Sequence, residues 1–266
     1  MPDEKVQPKL AATIMLLRDS AAQLEVFMVE RHHQIDFATG ALVFPGGKAE
    51  AADGGGAMRG YCDGADELGD EAITVRVTAI RETFEESGVL LARPRGEKEL
   101  IGAERLADLE SKYRTALQEG QTDMQKLAEA ESLTLACDQL IPFAHWITPD
   151  MLPKRFDTHF FLAAAPADQL ALHDGSESVD SVWTTTADAL EAEAEGRRTI
   201  VFATLANLQK LGRSGSLGEA IEAARASEIT TVLPWVAKED DGELMLCIPE
   251  EADYGMVKVP LSGLKG

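Results

Sequence analysis

The stretch from about Thr74 to Ser87 constrains the chain more than any other. Val77, Ile80 and Phe84 recur at steps of three and four and make one apolar stripe, so the segment reads as an amphipathic helix. Gly88 follows as the residue that ends it. The same helix carries Glu82, Glu85 and Glu86 at i, i+3 and i+4, which places three carboxylates on one side, with Arg81 reaching toward Glu85. Such an arrangement opposes itself. A neighbouring like charge raises a carboxyl pKa, and each repelling pair costs a helix roughly 0.2–0.5 kcal/mol. Either the face is simply solvated, as most glutamate-rich faces are, or something offsets the repulsion. One arginine offsets part of it; a hard divalent cation such as Mg²⁺, which prefers carboxylate oxygens, offsets far more.

Around this helix the pattern is mixed. Residues 9–18 and 24–31 are apolar, β-branched runs joined by a polar turn, hence a pair of strands. Gly40, Pro45, Gly46 and Gly47 punctuate a shaped loop around a short strand, and residues 53–70, rich in Gly and Asp without period, read as an exposed loop. Residues 97–131 suggest two or three amphipathic helices with turns near Gly102 and Gly120. Three further strands follow in IPFAHWITP, FDTHFFLAAAP and SVDSVWTTT, then helices over 186–195, 200–212 and 216–226, then a terminal hairpin around Asp240, Asp241 and Gly242. No internal repeat, low-complexity linker or domain break is visible. The expectation is one α/β domain over 1–266, an α/β/α sandwich on a mixed sheet, with a loop insertion at about 54–73, a helical insertion at about 97–131 and C-terminal helices.

Charge narrows the partners. A formal net charge of −21 repels nucleic acid and anionic lipid, so neither is expected, and an anionic small substrate would need locally concentrated cations. Cys62, Cys137 and Cys247 are widely spaced and read as free thiols. The polar N-terminus and the lack of a long apolar run make a cytoplasmic location the default expectation.

Upstream of the acidic helix stands Phe44-Pro45-Gly46-Gly47-Lys48, and Gly88-Val89 close it. With Arg81-Glu82-x-x-Glu85-Glu86-x-Gly88 these residues resemble the Nudix hydrolase signature, a Gly, five residues, a Glu, seven residues and R-E-hydrophobic-x-E-E-x-G-hydrophobic. The octet alone should arise by chance less than roughly once in 10³ chains of this length. Two departures stand out. Asp53 occupies the position of the signature's first Glu, followed by an expanded spacer, and Thr83 fills a usually hydrophobic position. Extra loop length costs only slowly growing closure entropy, so the helix can survive the insertion. Arg31, thirteen residues before Phe44, with Phe37, Gly40, Ala41 and Val43 between, resembles the coenzyme A diphosphatase branch, whose acyl-CoA-cleaving members carry a long insertion inside the signature.

That resemblance implies a metal-dependent hydrolase cleaving the diphosphate bond of a nucleoside diphosphate derivative, with coenzyme A or acyl-CoA ahead of ADP-ribose, NADH or dinucleotide polyphosphates; a catalytically silent ligand-binding module is the alternative. It implies that Glu82, Glu85 and Glu86, with the Gly47 carbonyl, hold Mg²⁺ or Mn²⁺, that Arg81 orients a carboxylate through its planar fork, and that Arg31, Lys48 and Gly46 meet the substrate. Glu177, in a polar loop before a strand, is the candidate general base, with an exposed turn glutamate nearly as good a reading. His159 and His173 could assist proton transfer, although a lone histidine is more often structural or exposed, and Lys154 and Arg155 could bind anions, with plain surface charge an equally good reading. Trp146, Phe156 and Trp183 suit core packing better than stacking on adenine. A homodimer is reasonable from the same resemblance.

Overall fold

The structure, a computed structural model, describes residues 6–21, 23–30, 41–170 and 181–263. In chain order its strands are β1 (Lys9–Ser20), β2 (Gln23–Glu30), β3 (Leu42–Val43), β4 (Gly46–Lys48), β5 (Ala92–Pro94), β6 (Leu133–Leu135), β7 (Ile141–Ile147), β8 (Phe156–Ala164), β9 (Ser181–Thr185), β10 (Thr231–Val232), β11 (Trp235–Lys238), β12 (Leu244–Cys247) and β13 (Lys258–Pro260). The α-helices are α1 (Asp70–Ser87), α2 (Ala103–Leu109), α3 (Thr115–Gln118), α4 (Met124–Ala130), α5 (Ala167–Leu170), α6 (Thr186–Ala194), α7 (Phe202–Leu211) and α8 (Leu217–Ala226).

β1 organises the rest. Its side chains alternate between two apolar environments, Ala12, Ile14 and Leu16 on one face and Met15 and Leu17 on the other, all buried, which is the pattern of a strand covered on both sides. β8 runs parallel along one edge of β1, with Ala12 opposite His159; β7 lies antiparallel to β8, and β10 lies outside β7. On the other edge β1 pairs with β2 only near their shared turn, Ser20 opposite Gln23. The hairpin then splays. The opening admits β4, Gly47 facing Ala12 in register, while Val29 and Glu30 of β2 pair with β3. β9 pairs with β2 and completes a mixed eight-stranded sheet.

One face of that sheet packs under α1 and the 97–131 insertion, the other under α6, α7 and α8. This is the α/β sandwich expected. The three C-terminal helices lie within a residue or two of their expected bounds, and the insertion resolves into α2, a π-helical turn at 110–114, α3 and α4. The terminal hairpin forms as β11 and β12, with β13 adding a third strand. The Gly/Asp-rich stretch differs from its expectation as a bare exposed loop. A 3₁₀ turn at Ala51–Asp53 leads into it and a second, Met58–Tyr61, lies within it, and Met58, Cys62 and Ala65 drop from it into the core beneath α1. Three apolar anchors suffice to hold a loop whose other residues are polar.

Candidate active site

α1 starts at Asp70, earlier than its periodicity indicated, with Asp70 and Glu71 in the first turn where the helix dipole favours acids. It ends on Gly88, whose φ of 73° is the left-handed conformation only glycine adopts cheaply, donating its N–H to the Phe84 carbonyl. Val77, Ile80 and Phe84 are fully buried against the sheet. Thr83 is fully buried, its hydroxyl donating to the Ala79 carbonyl at 2.8 Å, which leaves the methyl to pack.

Asp53 takes the place of the signature's first acid with a shorter side chain. It is 1% exposed and takes a two-pronged ion pair from Arg81, Nε to Oδ1 at 2.8 Å and Nη2 to Oδ2 at 2.9 Å. The Thr78 hydroxyl and the Glu50 N–H also donate to it, at 3.0 and 2.9 Å. Arg81, 4% exposed, spends its remaining hydrogens on Glu82 at 3.0 Å, Glu85 at 3.2 Å and the Lys48 carbonyl at 3.0 Å. One guanidinium therefore ties together the end of β4, the buried aspartate and two of the helix carboxylates. Burial alone would lower the Arg81 pKa; the bonds to Asp53 and the charges of Asp53, Glu82 and Glu85 outweigh it and raise the value.

The glycines of β4 lie directly against these acids. The Gly46 N–H donates to Glu86 Oε2 at 3.0 Å. Gly47 stands so close to Glu82 that a Cβ there would sit 2.5 Å from the carboxylate, so no other residue fits without pushing Glu82 aside. Burial pushes the pKa of both Glu82 and Glu85 above the usual carboxylate range, with Arg81 opposing it in each case. Hard oxygen donors from three carboxylates, Glu82 and Glu85 half-buried and Glu86 exposed, and a nearby carbonyl suit a divalent cation of the magnesium kind. Glu82, Glu85, Glu86 and Gly47 are the residues that would hold it.

The insertion reaches the same site from behind. Arg114, in the π-helical turn, donates Nε to the Glu85 carbonyl at 2.9 Å and Nη2 to the Glu86 carbonyl at 3.1 Å, Gln118 donates to the Glu85 carbonyl at 2.8 Å, and Arg114 also pairs with Glu110. These bonds satisfy carbonyls that a helix end leaves open. Nothing in the local sequence announces them, because the partners are about thirty residues apart in the chain. Arg114→Met should cost about 1.5–3 kcal/mol in urea unfolding. It should also raise the Mg²⁺ concentration needed for half-maximal turnover; an unchanged requirement would confine Arg114 to a stability role.

The other candidates separate. Lys48 is exposed beside the site. Arg31, Glu177 and His173 lie outside the described residues. Arg155 is not an anion ligand: it is 7% exposed, donating to the Thr148 carbonyl at 3.0 Å and the Val6 carbonyl at 2.8 Å and pairing with Asp150 at 2.6 Å. Lys154 is exposed. Trp146 is core, its indole N–H donating to the Tyr254 hydroxyl at 2.7 Å and its ring edge-on to Phe202. Trp183 packs on Phe27 under Arg18, and Phe156 is half-buried in β8. His159 sits on β8 with its pKa lowered to about 4, first by burial, then by His145, with Asp157 opposing and Arg76 reinforcing. It is a neutral imidazole at neutral pH.

A model of the NUDT19 Nudix domain matches residues 57–204, more than half of the chain. The chain belongs to the Nudix hydrolase family. It is 24% identical over 212 residues to the acyl-coenzyme A diphosphatase NUDT19 of Xenopus laevis, covering 65% of this chain and 56% of that protein. It is 30% identical over 170 residues to putative nudix hydrolase 7 of Caenorhabditis elegans, covering 63% of this chain and 49% of that protein. The chain thus spans about half the length of the curated relatives it matches. Among solved structures, a NUDIX hydrolase from Alicyclobacillus acidocaldarius superposes with a TM-score of 0.61 at 27% identity, covering 82% of this chain and 96% of that one. Nudix hydrolases generally use divalent metal ions, and the acidic face of α1 supplies oxygen donors of the kind such ions take.

Proposed function

We propose that this chain hydrolyses the diphosphate bond of coenzyme A or acyl-CoA with Mg²⁺ or Mn²⁺. The observation that carries the reading is the Asp53–Arg81 pair, which fixes Glu82 and Glu85 beside the Gly46–Gly47 turn despite the expanded signature. The names of the NUDT19 relatives favour the acyl-CoA class.

Diphosphate esters hydrolyse slowly because their anionic oxygens repel an incoming water, so a catalyst must neutralise charge and position the nucleophile. A bound cation would supply that neutralisation and acidify water. Glu82, Glu85 and Glu86 would hold the cation, Arg81 keeps Glu82 and Glu85 oriented, and Gly47, lacking a Cβ, lets the β4 backbone lie against the Glu82 carboxylate. Arg31 and Lys48 are assigned to the substrate anions and Glu177 to the general base. A cytoplasmic location and a homodimer belong to the same reading, and light scattering checks the second. No helix of the described residues is long and apolar enough to cross a membrane.

The deciding experiment is product analysis with coenzyme A, acyl-CoA, ADP-ribose, NADH and diadenosine polyphosphates, with and without Mg²⁺. 3′,5′-ADP and phosphopantetheine products are expected from the first two; cleavage of ADP-ribose alone would remove coenzyme A while leaving the hydrolase class. Ligand binding with no turnover of any substrate would favour a silent binding module.

Acidity gives a second check. Because folding raises the pKa of Glu82 and Glu85, their protonated forms favour the metal-free fold at low pH, and that contribution is lost as pH rises through the raised values. A cation bound by the ionised forms reverses the trend. The rise in melting temperature on adding Mg²⁺ should therefore grow as pH rises through the raised values, and turnover should fall as pH drops through them. A Mg²⁺ effect independent of pH would contradict the ligand assignment.

A further inference from the structure

Outside the acidic helix, one cluster of titratable groups stands apart. His145 of β7 lies directly opposite His159 of β8, and their rings stack with centroids 4.2 Å apart and planes 20° from parallel. Asp157, two residues before His159 and so on the same face of β8, places its Oδ1 against His145 Nε2 and 4.0 Å from His159 Nε2. Two imidazole nitrogens thus address one carboxylate oxygen. Among the described residues this is the set of three that offers metal-ligand atoms within 4.8 Å of one another; Glu82, Glu85 and Glu86 are instead engaged with Arg81 and the Gly46 N–H.

The remaining nitrogen of His145 is also committed. Nδ1 lies 2.8 Å from Thr231 Oγ1, on the neighbouring strand β10 in register with His145. A partner on the second ring nitrogen fixes ring orientation, and when that nitrogen donates, Nε2 is left bare as a ligand. The three ligand side chains are between 19% and 29% exposed, which leaves a route for an ion and an open coordination position toward solvent. Cross-strand neighbours run Thr231, His145, His159, Ala12, Gly47, so the cluster shares a row of the sheet with the acidic site and stands two strand spacings, about 10 Å, from Gly47.

We propose that His145, Asp157 and His159 form a second metal site, specific for a nitrogen-preferring divalent cation such as Zn²⁺, with Thr231 orienting His145. Imidazole and carboxylate suit zinc and its transition-metal neighbours, whereas magnesium prefers the all-oxygen set on α1. The two sites are therefore separable by metal type.

The test is calorimetric titration of chelator-treated protein with Zn²⁺ in excess Mg²⁺, which occupies the acidic helix first. One Zn²⁺ per chain should bind, and Co²⁺ in its place should give the visible absorption bands of a low-coordinate nitrogen and oxygen site. The double variant His145→Gln/His159→Gln should lose that binding while retaining the Mg²⁺-dependent behaviour of the acidic site, and Thr231→Val should weaken it by about 10–100-fold. Zn²⁺ binding unchanged in the double variant, or none in wild-type protein under excess Mg²⁺, would overturn the site. Should the double variant fail to fold, the wild-type Co²⁺ spectrum and Asp157→Asn decide: no spectrum, or one that Asp157→Asn leaves unaltered, overturns it equally.

Discussion

Glu85→Gln and Glu86→Gln are each expected to reduce turnover by about 10²-fold or more, the loss typical of removing a major electrostatic element of a catalytic site. Glutamine keeps the shape and one acceptor oxygen, so Arg81 at 3.2 Å from Glu85 and the Gly46 N–H at 3.0 Å from Glu86 can still be satisfied. What disappears is the charge that would hold a cation. The stability response should have the opposite sign for Glu85. Its raised pKa means that the metal-free fold disfavours the ionised form, so neutral glutamine should leave the melting temperature of the metal-free protein unchanged or slightly higher at neutral pH. Activity lost without stability lost separates a ligand from a structural residue, and thermal melts beside Mg²⁺-dependent assays read both. Wild-type rates in the two variants would overturn the assignment of this helix, whatever the substrate.

How much of this was legible in the sequence depended on distance along the chain. The α1 stripe, the β1–β2 hairpin and the C-terminal helices are governed by neighbours a few residues apart, and their periodicity shows directly. Short strands β5 and β6 were not legible, since three residues carry no period, and they form only because the insertion between them folds back. Met58, Cys62 and Ala65 were hidden for a related reason: single apolar residues in a Gly/Asp-rich stretch look like noise until α1 covers them. The site was half visible. Spacing on one helix revealed Glu82, Glu85 and Glu86, but the partners that position them, Asp53 and Arg114, come from residues 28 and 29 positions away. Asp53 did carry a signal, its place at the signature's first acidic position. Arg114 carried none. Arg155 shows the converse error, a basic residue near a Pro-rich turn that reads as a surface cation until three carbonyl and carboxylate partners account for its charge.

Asp53→Ala should destabilise the protein strongly. Asp53 and Arg81 are both almost wholly buried, and deleting one member of a buried pair leaves the other charge without its strongest compensation, at a typical cost of about 3–5 kcal/mol. For a chain of this size that corresponds to a fall in melting temperature of roughly 6–20 °C. Glu82 and Glu85 remain near Arg81 and keep the loss toward the lower end, but at the expense of their own geometry, because the guanidinium is then free to turn toward them. Turnover should therefore fall together with stability, in contrast to Glu85→Gln. Asp53→Asn, which preserves an acceptor for Arg81 and Thr78, should lose less of both. Restoring the signature's acid by Asp53→Glu should not help: the pocket is closed around the shorter side chain, and an added methylene in a packed interior costs about 1–3 kcal/mol. The decisive comparison is a double-mutant cycle. If the pair acts as a unit, Asp53→Ala combined with Arg81→Met should destabilise clearly less than the two single losses added together, since in the double variant neither Asp53 nor Arg81 is left buried without the other. Strict additivity would mean that the buried ion pair holds nothing together, and the positioning of Glu82 and Glu85 would then have to come from the α1 backbone alone.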